Sequence, residues 1–374
     1  MKIPESIFRK RVRKVQELMQ EDGIDALLVL SLENYRYFTG DMRKQPRMLI
    51  PSDGGPYPIV FEEEKDEVER NTGLEAKTYR SLPEMLSAVI SFLNSLGKDT
   101  PVVAVEMEFS TPAFLIERFR MANPHVEVVD AKQIVAPLRK IKDRYEIDLM
   151  KKAGKLADYA MDVAVDLLKP GIRESEVALE VEYRVRKKGA ERLSFPMFIN
   201  SGERSLWLHG MATDRKIVEG DVVLIDIGPV FGGYCADIAR TFVVGTAGDD
   251  QKKAYRAYLE MQEKTAVMIE ERKGEVTVLE IERRNEGFLR ETGYKGLYVK
   301  GFVHGIGLGF EETPFPTIFP EDLREKIVEG MTIAIGHSVL SIKNVGGFRI
   351  EDTYHIDEKV RSFTGFEKDL LEVG

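Results

Sequence analysis

Two aspartates interrupt apolar, strand-like runs on either side of a glycine pair, and that arrangement limits what this chain can fold into more than any other feature. Asp226 lies in Val222-Val223-Leu224-Ile225-Asp226-Ile227-Gly228, and Asp237 in Gly233-Tyr234-Cys235-Ala236-Asp237-Ile238-Ala239-Arg240-Thr241-Phe242, with Gly232-Gly233 between them. A carboxylate in such a run is costly to bury unless something pairs with it. Two β-prone runs around a Gly-Gly turn predict a hairpin, which would bring the two carboxylates to face each other. Further on, His304 opens the run His304-Gly305-Ile306-Gly307-Leu308-Gly309, and Glu351 follows Phe348-Arg349-Ile350 in another strand-like stretch. Hard carboxylate oxygens plus one imidazole make a set suited to a divalent ion of the Mn, Co, Fe or Zn type, one ion or two.

Taken singly, each residue has a plain structural reading. Asp226 could end a strand, Asp237 could pair with Arg240, a histidine in a Gly-rich loop could be structural, and Glu351-Asp352 could be a solvated strand end. Four potential ligands on apolar strands around one Gly-rich loop, however, are rarely assembled by chance. The joint pattern therefore points to a functional site.

The 374 residues exceed one ordinary core and suggest two domains, and 43% hydrophobic residues suffice to bury them. A net charge of −9 and an isoelectric point near 5.4 argue against nucleic acid or an anionic membrane as partner. The single cysteine, Cys235, cannot form an intramolecular disulfide, and Met1-Lys2-Ile3-Pro4-Glu5 lacks the apolar core of a signal peptide. Both facts fit a reducing, cytoplasmic setting. No apolar run approaches the roughly 20 residues that span a bilayer.

Along the chain, Ile7 to Met19 has helical spacing with Gly23 as its stop, and its basic cluster Arg9 to Lys14 is expected to be a solvated face. Short β-prone runs at 26–30, 58–61, 102–105 and 126–129 alternate with helical stretches such as 82–96, the mark of an α/β domain. The sequence places the boundary at 134/135. Helices are expected at 146–168 and 174–188, then strands at 195–200, 222–227, 234–244, 331–335 and 348–356, with helices at 251–271 and 276–292 between them. The second half, 135–374, is thus expected to be α+β, a mostly antiparallel sheet with the site on one face and helices on the other.

At this point the residues carry a family resemblance. Leu224-Ile225-Asp226-Ile227-Gly228 with Gly233 to Phe242 resembles the metal-binding hairpin of the pita-bread peptidases: prolidase (Xaa-Pro dipeptidase), aminopeptidase P, methionine aminopeptidase and their metal-free cousin creatinase. Val303-His304-Gly305-Ile306-Gly307-Leu308, Glu312-Thr313-Pro314 and Gly346-Gly347-Phe348-Arg349-Ile350-Glu351-Asp352-Thr353 resemble the remaining signatures in order. Leu208-His209-Gly210 is similar to the substrate-contacting histidine motif. Ile24 to Val29 with Asn34 to Gly40 resembles the creatinase/prolidase N-terminal domain, which selects the prolidase branch. The resemblance implies that Asp226, Asp237, His304 and Glu351 bind metal, Asp237 and Glu351 bridging two ions. It also implies that His209 contacts substrate, that Glu311 and Glu312 stand in the catalytic loop, and that Arg349 holds Glu351 or orients a carboxylate.

Two positions depart from the family pattern. Where the family writes Thr-Ile-Glu-Pro-Gly, this chain has Ala334-Ile335-Gly336-His337-Ser338, so a carboxylate ligand has become Gly336. Where the family has a histidine before its proline-containing turn, this chain has Glu311. The two changes look like an exchange, in which Glu311 or His337 supplies the missing ligand or proton acceptor; drift after loss of the glutamate is the competing account.

Three functions remain open. One is a metal-dependent hydrolase cleaving an Xaa-Pro or related small amide bond. Another is a creatinase-like carbon-nitrogen hydrolase using little or no metal, with His209 as proton shuttle. The third is a non-enzymatic binding protein on the same fold. The only tryptophan, Trp207, is expected in the core; lining the pocket instead, it would offer a cation-π face and favour the second function. A homodimer is expected from the family's two-domain members.

Overall fold

The computed structural model describes residues 3–107 and 111–374, which divide into two compact units, Met1–Arg139 and Lys140–Gly374. In the first unit, Val12, Val15 and Met19 recur at helical spacing and are the buried stripe of helix Glu5–Glu21, which stops at Gly23 with φ +69°. Of the basic cluster on this helix, Arg9, Lys10, Arg13 and Lys14 are solvated as expected. Arg11 is the exception: it is buried, its guanidinium 4.2 Å from the centre of the Tyr37 ring and bonded to the Tyr37 carbonyl.

A six-stranded sheet fills this unit, in the order Lys77–Tyr79, Tyr57–Phe61, Met48–Pro51, Ala26–Val29, Val102–Val105 and Glu127–Asp130. Ala26–Val29 pairs in parallel with Val102–Val105 and antiparallel with Met48–Pro51. The sequence reading missed Met48–Pro51, a short apolar run that gives no alternation to detect.

The second unit opens with Arg144–Leu167. Asp143 caps it by accepting from the Tyr145 and Glu146 amides, while Glu146 returns a bond to the Asp143 amide. That helix and Glu174–Lys187 pack on a four-stranded sheet ordered Leu371–Val373, Ile238–Val244, Val222–Ile227, Phe198–Ser201. Helices Asp249–Glu271 and Val278–Glu291 pack on a second sheet ordered Val303–Gly305, Thr332–Ile335, Asp352–Ile356, Val360–Ser362. The two sheets meet where the Ala239 and Glu351 backbones exchange hydrogen bonds of 3.1 and 3.0 Å. The α+β expectation is met, with one correction: there are two principal sheets instead of one, and Leu371–Val373 joins its neighbour in parallel.

Both long strands expected from the sequence also break, and at telling places. The run 234–244 divides at Ala236-Asp237 into Tyr234–Cys235 and Ile238–Val244; the run 348–356 divides at Arg349–Glu351 into Gly346–Phe348 and Asp352–Ile356. At each break the backbone changes ladder partner, and the residues there are carried to the seam between the sheets. No described helix is long and apolar enough to cross a membrane.

Candidate metal centre

Alternation aims the first carboxylates. Val223, Ile225 and Ile227 pack into the core beneath the helices, so Asp226 points to the opposite face of its strand. Gly232 and Gly233, with φ of +59° and +85°, make the two-residue turn between Pro229–Phe231 and Tyr234–Cys235. Beyond it, Ile238–Val244 returns antiparallel with Ala239 opposite Asp226. Asp237 is therefore a diagonal neighbour on the same face. Its amide donates to Thr353 Oγ1 at 2.8 Å.

On the second sheet His304 is paired with Ala334, and Ala334 with Thr353, which puts the imidazole on the face that Glu351 shares. His304 Nδ1 lies 2.9 Å from the Gly305 carbonyl, an acceptor only, so Nδ1 carries a proton and Nε2 is the nitrogen turned to the carboxylates. That nitrogen is 3.3 Å from Glu351 Oε1 and 3.7 Å from Asp237 Oδ2. Asp226, Asp237, His304 and Glu351 are each at most 3% exposed.

The guanidinium of Arg349, also fully buried, lies against the cluster. Nη1 donates to Asp226 Oδ2, Nη2 to the His337 carbonyl, and Nε is 3.6 Å from Glu351 Oε2. Burial pushes Asp226 up to about 7 despite Arg349, and pushes Asp237 well above the usual carboxylate range with help from the Glu351 and Asp226 charges. Burial would raise Glu351 too, yet Arg349, His304 and His337 outweigh it and hold Glu351 well below its ordinary value. Burial and then Arg349 bring His337 down to about 3, so its imidazole is neutral.

Whether a cation fits is decided by what these atoms lack. Asp226 Oδ1, Asp237 Oδ1, both oxygens of Glu351 and His304 Nε2 are buried with no hydrogen-bond partner among the described residues. Orphaned acceptors of this kind cost about 1–3 kcal/mol each. Asp226 and Asp237, raised by burial, can ionise beside Glu351 only with more positive charge than Arg349 supplies. One donor atom from each of Asp226, Asp237 and Glu351 can be chosen with all three within 4.8 Å of one another, and the same holds for His304, His337 and Glu351. A divalent cation fits both requirements.

At the mouth, His209 has one side open to solvent and packs 5.7 Å, centre to centre, from His337 and 5.8 Å from Phe198. Partial burial, followed by the Arg349 charge, lowers its pKa. Glu311 Oε1 is 3.6 Å from His337 Nε2, and burial raises the Glu311 pKa. Glu312 turns elsewhere, to Lys142 Nζ at 2.7 Å and the Gly309 amide at 3.2 Å. Trp207 is a correction: it is 53% exposed instead of core, with the Arg204 guanidinium 4.5 Å from its ring centre. It ends a short 3-10 turn, Gly202–Leu206, where the chain leaves the sheet for the surface.

The sequence reading missed Glu174. Fully buried, its carboxylate accepts from the amide and hydroxyl of Ser201, from the amide and hydroxyl of Thr213, and from Arg204. It thereby pins both ends of the segment carrying Trp207 and His209. In the sequence it looks like an ordinary acid in a helix's first turn. Glu174→Ala is expected to destabilise the protein by about 2–4 kcal/mol, because five donors lose their acceptor. It should also open the 202–212 segment to limited proteolysis; unchanged cleavage rates would count against this role.

A model of the creatinase/prolidase N-terminal domain matches residues 11–141, and that of metallopeptidase family M24 matches residues 148–358. The chain is 32% identical over 366 residues to the Xaa-Pro dipeptidase of Pyrococcus furiosus, covering 97% of this chain and 100% of that one. The prolidase structure from Pyrococcus horikoshii OT3 superposes with a TM-score of 0.85 at 30% identity, covering 96% and 99% of the two chains. The Xaa-Pro dipeptidase structure from Bacillus anthracis gives 0.85 at 26% identity, covering 98% and 100%. With the family model matched over residues 148–358 and a relative 32% identical along nearly its whole length, this chain belongs to metallopeptidase family M24.

Proposed function

We propose that the protein is a metal-dependent dipeptidase cleaving the bond before proline in small peptides. The observation that carries this reading is the set of five buried donor atoms without partners, which converge on one seam. Asp226, Asp237, His304 and Glu351 would hold the cation, and a divalent ion bound there supplies a water of lowered pKa and a Lewis acid for the scissile carbonyl.

The protein's own groups supply the rest. Arg349 fixes one oxygen of Asp226 and leaves the other aimed into the centre. His209, kept neutral by its surroundings, can donate a hydrogen bond to the substrate's carbonyl or terminal carboxylate. Glu311, its pKa raised by burial, is suited to hold a proton on its way to the leaving amine. Phe195, Phe198 and Phe310, with ring centres 5.1 and 5.4 Å apart, form an apolar wall that suits a proline ring. The creatinase-like reading loses its support at Trp207, where Arg204 already lies over the ring.

Hydrolysis of a panel of Xaa-Pro and Xaa-Ala dipeptides by metal-depleted and metal-restored protein tests this. Release of the amino acids only after divalent metal is added, with Xaa-Pro preferred, is the expected result. Equal rates with and without metal, or no turnover of any member, would reject it. We also propose a homodimer, as in the family's two-domain members. Light scattering at the mass of a single chain would reject that.

A further inference from the structure

We propose that His337 is itself a cation ligand, delivered by a bulge in its strand, and that the position it forms with His304 and Glu351 prefers zinc, cobalt or ferrous iron to manganese or magnesium. The inference rests on reading the cluster as a cation centre, and adds to it a donor that the family pattern does not contain.

The backbone makes the case. In Thr332–Ile335, Ala334 lies opposite His304, so in a regular strand residue 336 would be the next side chain on that face. Gly336 offers none. Its φ is +114°, and a Cβ built there would stand 1.8 Å from the Ile350 carbonyl oxygen, so no side chain can be added without moving the neighbouring backbone. The strand is not regular here, however. The amides of Gly336 and His337 both donate to the Phe302 carbonyl, at 2.9 and 3.2 Å, two residues against one. That is a β-bulge, which re-aims the side chain that follows it. Tyr258 Oη holds the bulge by donating to the carbonyls of Gly336, at 2.6 Å, and Ser338.

The extra residue puts His337 where position 336 would have pointed. Its ring centre is 4.9 Å from that of His304, with the planes at 88°, and its Nδ1 is 3.5 Å from Glu351 Oε1. Arg349 Nη2, 3.3 Å from Nδ1, fixes the orientation of the ring, and only 8% of the residue is exposed. Donor atoms of His304, His337 and Glu351 fall within 4.8 Å of one another, and His304 Nε2 and Glu351 Oε1 have no other hydrogen-bond partner among the described residues. The set formed by Asp226, Asp237 and Glu351 is all carboxylate. Two imidazoles and one carboxylate are a softer set with less negative charge, which suits Zn, Co or Fe over Mn or Mg.

X-ray absorption at the zinc edge, on metal-depleted protein reloaded with one equivalent of zinc, counts imidazoles directly and needs no variant. Two imidazoles on the bound zinc are expected, and one imidazole would overturn the proposal. Equilibrium dialysis of His337→Ala should show zinc affinity reduced by at least ~10-fold, with manganese affinity little changed. His337→Glu, which keeps a donor on the bulge, should bind zinc less well and manganese better. Undiminished zinc affinity in His337→Ala would also overturn the proposal. Should the unsubstituted protein bind no divalent metal at all, the dipeptidase reading falls with it. Zinc held by a single imidazole in a protein that still hydrolyses Xaa-Pro dipeptides would remove only the present inference.

Discussion

Replacing Asp237 with asparagine is expected to abolish manganese binding at the Asp226, Asp237 and Glu351 set and, in the same variant, to raise the melting temperature of the metal-free protein. The first effect follows from position. Asp237 offers an unpartnered oxygen to the all-carboxylate set and sits 3.7 Å from His304 Nε2. The second follows from electrostatics. Burial, then Glu351 and Asp226, push the Asp237 pKa well above the usual range, so its ionised form is an unfavourable neighbour in the metal-free fold. Asparagine keeps the shape and the amide bond to Thr353, and removes the charge. A gain of about 1–2 kcal/mol at neutral pH is expected, or a few degrees in a unit of this size.

The sign of the pH dependence follows from the raised pKa values of Asp226 and Asp237. In the metal-free protein a raised carboxylate favours folding below about 4, where both states are protonated, and that contribution fades as pH climbs toward the folded value, about 7 for Asp226. The advantage of Asp237→Asn should therefore be small at pH 4 and grow through pH 7. Calorimetry in chelator at the two pH values measures it. A metal-free variant melting at or below the unsubstituted protein at pH 7 would defeat the argument, as would undiminished manganese affinity.

How far the sequence reveals such a site depends on the kind of residue. Asp226 and Asp237 stand out because a carboxylate between Ile225 and Ile227, or beside Ile238, violates the apolar pattern that the strand otherwise keeps. The ends of Arg144–Leu167 and Glu174–Lys187 were legible to within two residues because capping side chains, proline and glycine mark them locally. The strand breaks at Asp237 and Glu351 were not legible, since they fall where the two sheets meet, at the bridge between Ala239 and Glu351, which are far apart in the chain. The bulge at Gly336 was hidden for the same reason: two amides sharing the Phe302 carbonyl is a pairing event, and the glycine alone announces only freedom. Arg11, buried on Tyr37, and Trp207, exposed under Arg204, show the limit from the other side. Hydropathy sorts residues by composition, whereas a planar cation over an aromatic ring can bury the charged partner or leave the aromatic at the surface.

Beneath the donor cluster lies the arrangement whose loss should cost the most stability. Arg240, 1% exposed, donates to Asp352 Oδ1 at 2.8 Å and to the carbonyls of Ala239, Glu351, Phe366 and Glu367. Asp352, fully buried, also meets Lys368 Nζ at 2.9 Å, Thr364 Oγ1 at 2.7 Å and Gln262 Nε2 at 3.1 Å. These bonds cross from the first sheet to the second at the seam where Ala239 meets Glu351, so they hold in place the backbone that aims Glu351. Burial alone would raise the Asp352 pKa, but Arg240 and Lys368 hold it below the ordinary value. Arg240→Met is therefore expected to cost about 3–5 kcal/mol, because it leaves a carboxylate buried with its main counter-charge removed. Metal affinity should also fall by ~10-fold or more as Glu351 loosens. Adding Asp352→Asn to Arg240→Met should recover part of the stability by removing the stranded charge, but none of the metal affinity. Because the Asp352 pKa is depressed, the pair stabilises the fold above about 4 and loses its effect as pH falls below that, so the deficit of Arg240→Met should shrink in acid. Urea denaturation read through Trp207, the only tryptophan and a member of the same unit, reports both effects. A deficit that is under about 1 kcal/mol at pH 7, or that grows on acidification, would show that the seam is held by packing of the two sheets and not by this ion pair.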